Sequence, residues 1–311
     1  MNPPSTPASS RRPESPAEPH RLDPGTLRRS FSQAAAGYDE AAVLQREVGD
    51  RMAERLDLVR LDPTRVLDAG CGTGRGAEML ARRYPRAQRI AMDVALPMLE
   101  QARARAGGPL RAWLSRMRPL WAVGGDLQRL PFGPGCFDLV WSNLALQWVN
   151  DLPGALSEFA RVLRPGGLAM FSTFGPDTLR ELREAFAAVD GYSHVSRFAD
   201  MHDIGDMLVA AGFADPVIDM ERITMTYPDL RAVMRDLKAI GARNATAGRR
   251  PGLMGRDAWT RVEAAYERYR REGRLPATYE VVYGHAWRAE ARRSADGRAI
   301  VRFDPSARGT K

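Results

Sequence analysis

Short apolar runs alternate with amphipathic stretches through the middle of the chain. TRVLDAG (with a strand over Arg65–Asp68), RIAMDV (Arg89–Val94), WAVGGD (Trp121–Asp126), FDLVWSN (Phe137–Asn143) and GLAMFSTF (Gly167–Phe174) are brief and bounded by Gly, Pro or Asp, which predicts strands. Between them, helical spacing covers about Arg75–Arg83, a stretch that opens near Pro97, and Pro153–Leu163 before the stop Arg164-Pro165-Gly166-Gly167. Such alternation predicts an α/β fold, a parallel sheet with helices on both faces.

The flanks read differently. TLRRSFSQAAAGYDEAAVLQREVGDRMAERLDLV is helical with a break near Gly37-Tyr38, and Val43, Leu44, Val48, Met52, Leu56 and Val59 follow helical spacing. Pro216–Tyr227 and Thr278–Arg288 are long and alternate as an antiparallel edge pair would. The residues between them are too many for a hairpin loop and carry two helical patterns, Asp229–Ile240 and Arg256–Arg271, so they predict a helical lid inserted before the last strand. Gly107–Leu120 predicts a short basic helix ahead of the third strand. The expected organisation is a Pro/Ser-rich disordered tail at 1–23, N-terminal helices covering a site at 24–60, and a ligand-binding core at 61–227. A lid at 228–277, the last core strand at 278–290 and a basic tail at 291–311 complete it.

Composition narrows the partners. The 311 residues, 44% hydrophobic, suffice for one buried α/β core. No apolar run approaches the roughly 20 residues that cross a bilayer. The N-terminus lacks an apolar signal region, and Cys71 and Cys136 are too few for a disulfide framework or a zinc site, so a cytoplasmic protein without metal is expected. The net charge of +8, carried almost wholly by Arg, favours an acidic partner. The basic residues are scattered without interleaved aromatics, which argues against nucleic acid.

Chemistry concentrates at LDAGCGTGRG (67–76), where Gly70, Gly72, Gly74 and Gly76 remove side chains at a strand-to-helix turn. Glycine there lets a ligand approach the backbone closely. No Lys follows, so a P-loop fails; Gly72, Gly74 and Ala77 satisfy a dinucleotide loop. Asp68, Gly70, Gly72 and Gly74 equally resemble the S-adenosylmethionine loop of class I methyltransferases. Asp93, 19 residues after Gly74, ends the second strand, where an acid can take ribose hydroxyls in either cofactor class. Asp126, followed by Leu127 and then Leu130-Pro131-Phe132, favours the methyltransferase reading, because there the matching segment lies at the adenine ring. On that resemblance Asp68 meets the cofactor ammonium, Asp126 accepts from the adenine amino group and Leu127 packs on its face.

From Phe31 to Trp287 the chain resembles one family, the malonyl-acyl carrier protein O-methyltransferases of biotin synthesis. FSQAAAGYDEAAVLQ, WSNLALQWV (141–149), RVLRPGG (161–167), VSRFAD (195–200), MRDLKAIGARN (234–244) and LPATYEVVYGHAW (275–287) carry the likeness. It implies a class I methyltransferase fold and methyl transfer from S-adenosylmethionine to the free carboxylate of a malonyl thioester, on an acidic acyl carrier protein or on CoA. That carboxylate is ionised at neutral pH, with a pKa of about 4, so no general base is needed. The resemblance implies that Asn143 and Gln147 face the methyl group, and Tyr38 is expected to hydrogen-bond the acceptor or close over the sulfonium. An Arg is the geometric choice to hold the malonyl carboxylate, with Arg197 the first candidate, Lys238 the second and Arg243 the third. Trp148 is expected to pack the lid, and His194, His202 and His285, with no acid partner at a telling spacing, receive no role. A small-molecule C-methyltransferase, for example on a quinone precursor, and a non-catalytic S-adenosylmethionine-binding module are the alternatives.

Overall fold

The computed structural model describes residues 20–107 and 118–290. Its centre is a seven-stranded sheet in the order β3-β2-β1-β4-β5-β7-β6. The strands are β1 (Arg65–Ala69), β2 (Gln88–Asp93), β3 (Leu120–Gly124), β4 (Phe137–Asn143), β5 (Leu163–Phe174), β6 (Phe213–Tyr227) and β7 (Leu275–Arg288). β1 to β5 are mutually parallel. β7 runs antiparallel to both β5 and β6, which closes the sheet with the expected antiparallel edge pair.

The apolar runs become strands because both of their faces are covered. Every residue of β4 from Phe137 to Ser142 is buried. Its side chains alternate between two cores: Leu139 and Trp141 join Val48, Met52 and Leu80 on one face, while Val140 joins Leu156, Phe159 and Leu208 on the other. The first core is built by α3 (Val43–Arg55), α4 (Arg75–Arg83), α7 (Arg180–Ala187), α9 (Leu230–Ala239) and α10 (Arg256–Glu267). The second rests on α6 (Leu152–Val162) and α8 (Met201–Ala210). α9 and α10 are the two helices expected between β6 and β7. β6 alternates half-buried and exposed positions, as an edge strand wet on one face must.

At the N-terminus, α1 (Pro24–Ala34) stops before Gly37, a single turn α2 (Tyr38–Ala41) follows, and α3 takes over. Leu44, Val48, Met52 and Leu56 share the buried stripe of α3 and the turn after it, whereas Val43 is 49% exposed. α5 (Leu96–Ala106) completes the set.

Three expectations need adjustment. The tail cannot extend to residue 23: Leu22 is buried, Asn150 Oδ1 accepts from its amide at 2.7 Å, and the Asp23 amide donates to the Ala245 carbonyl at 2.8 Å. β5 begins at Leu163 rather than Gly167, because the turn Arg164–Gly167 is accommodated as a register shift opposite β4. β3 ends at Gly124, so Asp126 lies in the turn beyond it. The basic helix expected over 107–120 falls largely at 108–117, outside the described residues, as do 1–19 and 291–311. No described helix is long and apolar enough to cross a membrane.

Phe159, fully buried on α6, anchors the second core. Phe159→Ala is expected to cost about 3–5 kcal/mol in urea denaturation with the secondary structure retained.

Candidate active site

The strand order reverses between β1 and β4, and a cavity of about 550 Å³ opens beyond their C-terminal ends. Such a volume is of the size that holds a small-molecule ligand. One half is walled by Gly70, Gly72, Met92, Asp93, Asp126 and Leu127. The other is walled by Phe174, Leu182, Phe186, Phe198, Met234 and Leu237, a predominantly apolar surface contributed by α7, α9 and the segments beside them. Pro24, Leu27 and Phe31 of α1, with Tyr38 and Gln45, border it from the N-terminal side.

The glycine loop leaves β1 by turning under β2. The amides of Gly70 and Cys71 both donate to the Met92 carbonyl, at 2.8 and 2.9 Å. This requires φ of +75° at Gly70, and a Cβ there would lie 2.4 Å from the Ala145 methyl. A side chain at residue 70 would therefore strain the backbone and collide with the cavity wall. Asp93 then braces the loop: its Oδ2 accepts from the Gly72 amide at 3.0 Å and its Oδ1 from the Ala95 amide at 2.8 Å. Burial raises the Asp93 carboxyl above its ordinary range, against the pull of these amides.

Asp68 sits elsewhere than expected. It is 2% exposed beneath the loop and does not line the cavity, and Gly74 likewise lies behind the wall. Its Oδ2 has no hydrogen-bond partner, and neither does the nearby Trp141 Nε1. Both crowd Gly76, where a Cβ would meet them at 2.7 and 3.0 Å. Burial pushes the Asp68 carboxyl up to about 7.

The remaining expected residues divide. Tyr38 lines the cavity, and burial beside Asp93 and Asp39 keeps its phenol protonated well above the usual range. Asn143 lines it too, but its amide is engaged at both ends: Oδ1 accepts from Ser172 Oγ at 2.8 Å and Nδ2 donates to the Gln45 carbonyl at 2.9 Å. The next residue, Leu144, adopts φ of +47°, held by bonds from its amide to the Ser172 carbonyl and Oγ. Gln147 donates through Nε2 to the Leu144 carbonyl at 2.7 Å and leaves Oε1 buried and unpartnered. Lys238 and Arg243 border the cavity as exposed cations. Arg197 does not: Ser196 and Phe198 line the wall while Arg197 between them is exposed. Trp148 packs its edge against Phe31, with ring centroids 5.3 Å apart.

Two residues gain importance from the structure. Gln45, the last residue of FSQAAAGYDEAAVLQ, lies seven positions after Tyr38 on the same side of the cavity, and its buried Oε1 is unpartnered. His194 has an acid partner after all: Nε2 lies 2.8 Å from Asp190 Oδ1, four residues earlier, and the ring stacks on Phe186 at 4.0 Å while lining the cavity. Burial acts to raise the Asp190 carboxyl, but bonds from His194, the Tyr192 amide and Arg250 hold it below the usual range. Among the described residues no cluster of His, Cys, Asp and Glu could hold a metal ion.

Comparison with known proteins identifies the lineage. Residues 67–171 match the methyltransferase domain family. The malonyl-[acyl-carrier protein] O-methyltransferase of Laribacter hongkongensis is 60% identical over 92% of this chain and 97% of its own length. Its counterpart in Gallionella capsiferriformans is 55% identical over 90% and 96%. The chain belongs to the malonyl-[acyl-carrier protein] O-methyltransferase family. Among solved structures, YcgJ of Bacillus subtilis shares the fold, with a TM-score of 0.56 at 17% identity over 79% of this chain and 99% of that one. The protein is thus an S-adenosylmethionine-dependent methyltransferase. The cavity lining is chemically compatible with that cofactor: Asp93 and Asp126 bring carboxylate acceptors to it, Leu127 an apolar side chain, and the Gly70 turn leaves no room for a Cβ.

A raised carboxyl pKa stabilises the fold while the group is protonated, and that contribution is lost as pH rises from about 4 through the folded value of about 7. Asp68→Asn, neutral at every pH, is therefore expected to be stabilised relative to the parent at pH 8 and nearly equal to it at pH 4. Urea midpoints of the cofactor-free proteins across that range measure the difference.

Proposed function

We propose that this methyltransferase esterifies the free carboxylate of a malonyl thioester carried on acyl carrier protein, as the names of its close relatives suggest, and that it does so in the cytoplasm as the priming step of biotin synthesis. The observation that carries the reading is the single cavity in which an acid- and glycine-lined half adjoins an apolar half edged by Lys238 and Arg243. Bound S-adenosylmethionine supplies an electrophilic methyl group on a sulfonium centre.

The chain's own residues position and desolvate. Asp93, locked by two amides, presents a rigid acceptor to ribose hydroxyls. Asp126 would accept from the adenine amino group and Leu127 would pack on the ring. Gln45 and Gln147 offer unpartnered amide oxygens to ammonium or amide N–H donors entering the cavity. Asn143, its own amide spent, positions Gln45 and β5 rather than touching the methyl group. Tyr38, protonated throughout the physiological range, would act as a hydrogen-bond donor and not as a base.

No base is required, because the acceptor carboxylate is already ionised with a pKa of about 4. Lys238 and Arg243 draw that anion inward, and α1, α2 and α9 exclude water once it has entered. The apolar half, Phe174, Leu182, Phe186 and Phe198 among it, would favour a reaction in which an anionic acceptor and a cationic donor neutralise each other. A second reading rests on the Asp190–His194 pair, which would suit proton removal in a C-methylation.

The test incubates the protein with S-adenosylmethionine and malonyl-loaded carrier protein, with malonyl-CoA in parallel, and follows the gain of one methylene unit by intact mass spectrometry. A gain on the malonyl acceptor is expected. No gain, with cofactor binding intact by calorimetry, rejects the malonyl assignment and turns attention to carbon acceptors. Asp93→Ala is expected to weaken cofactor binding about tenfold or more, a loss of at least about 1.4 kcal/mol. The Lys238→Ala, Arg243→Ala double variant is expected to raise the acceptor KM with kcat largely kept, an effect that fades as salt is added.

A further inference from the structure

The entrance to the cavity is framed by α1 on one side and the loop after α9 on the other. α1 contributes Pro24, Leu27 and Phe31 to the wall, and the loop contributes Arg243 and Asn244. The two frames are tied together. The Asp23 amide donates to the Ala245 carbonyl, the Ala247 amide donates to the Arg21 carbonyl at 2.8 Å, and Leu22 pairs with Thr246. A Cβ on Gly241 would lie 2.9 Å from Phe31, so the loop also abuts the middle of α1.

Outside the cavity wall, this tied unit carries Arg21, Arg28, Arg29 and Arg249, all exposed. Some surface arginines elsewhere in the fold are matched, Arg75 to Asp50 and Arg82 to Glu78 at 2.8 Å and Arg270 to Glu267 at 2.6 Å, while others, such as Arg60 and Arg129, are not matched among the described residues. What sets the entrance arginines apart is that they share one tied unit beside the cavity mouth. None of the four at the entrance joins an ion pair among the described residues; Arg29 reaches only Thr26 Oγ1, and Arg249 only the Thr246 carbonyl. The acids nearby are already committed. Asp23 caps α1 by accepting from the Thr26 amide, and that bond, with the charges of Arg29 and Arg249, holds its carboxyl below the usual range. Asp151 caps α6 by accepting from the Gly154 amide.

The geometry points to this face, Arg21, Arg28, Arg29 and Arg249, as the docking surface for the acidic carrier protein. It rests on the proposed function and adds where the partner sits. Four exposed arginines on one tied unit, with Asp23 beside Arg29 and Arg249 offsetting only part of their charge, make a net positive field that an acidic protein surface satisfies. The face adjoins the entrance, so a partner seated there delivers a flexible thioester arm between α1 and the 243–244 loop. The arm then meets Lys238 and Arg243 on the wall, while the partner's body meets only the outer arginines. The two sets of cations therefore do different work. The outer four select the macromolecule, and the inner two hold any malonyl acceptor that enters.

The experiment compares the parent with an Arg28→Glu, Arg29→Glu, Arg249→Glu variant. Three quantities are read: the calorimetric Kd of carrier protein, the KM for malonyl-carrier protein, and the Kd of S-adenosylmethionine as the report on an intact fold. At least a tenfold weakening of carrier-protein binding and a matching rise in KM are expected, with cofactor affinity within twofold of the parent. The salt dependence of carrier binding seen in the parent is expected to flatten. Unchanged carrier affinity in a variant that binds the cofactor normally overturns the docking surface while leaving the methyltransferase reading intact. Should the variant lose cofactor binding, the milder Arg28→Gln, Arg29→Gln variant decides on the same criterion. A parent protein that binds the cofactor but methylates no malonyl acceptor rejects instead the proposed function.

Discussion

Two amides, those of Gly70 and Cys71, converge on the Met92 carbonyl, and the site follows from that turn. It carries the chain off the end of β1, under β2 and into α4 within a few residues. Because φ is positive at Gly70 and Ala145 stands where its side chain would be, the turn keeps backbone on one side and open space on the other. Asp93 accepts from the Gly72 amide and so fixes the loop against β2. The strand reversal between β1 and β4 leaves room above it.

The other structural commitments serve to close that space. β4 ends in Asn143, whose amide joins β5 to α3, and Leu144 is held in a left-handed conformation by Ser172. Such strain at a non-glycine residue costs of the order of 1 kcal/mol, and the surrounding bonds keep it in place at the cavity wall. The residues before α1, fastened to Asn150 and Ala245, hold α1 and the α9 loop as one frame around the entrance. Chemistry that needs no base but does need desolvation and alignment suits such a closed, apolar-lined chamber.

Much of this was legible in the sequence, for physical reasons. β4 and α4 fall where the apolar run and the helical spacing put them, since short runs bounded by turn residues have few alternatives in a parallel sheet. The lid helices were visible because the residues between the alternating strands, 228–274, are too many for any hairpin. Side-chain direction was much harder to read. The spacing of Asp68 to the glycines said it ends a strand, but not that it points into the protein beneath the loop, where its carboxyl is pushed up to about 7. Arg197 lies between Ser196 and Phe198 in a segment without regular structure, where no periodicity says which side chain faces the cavity, and it is the one exposed to solvent. The Asp190–His194 pair had its four-residue spacing in plain view, yet in an irregular segment spacing does not say which side chains meet. Gln45 closes a family-like segment without any spacing that marks it for the site; its unpartnered oxygen on the wall does.

The measurement that bears most directly on the central claim is calorimetric titration of S-adenosylmethionine into Gly70→Ala beside the parent protein, with circular dichroism as the check on fold. Saturable one-site binding to the parent and its loss in a folded Gly70→Ala is the predicted result. A folded Gly70→Ala that binds the cofactor as tightly as the parent would contradict the account, because the close approach of ligand to this backbone turn would then have no role.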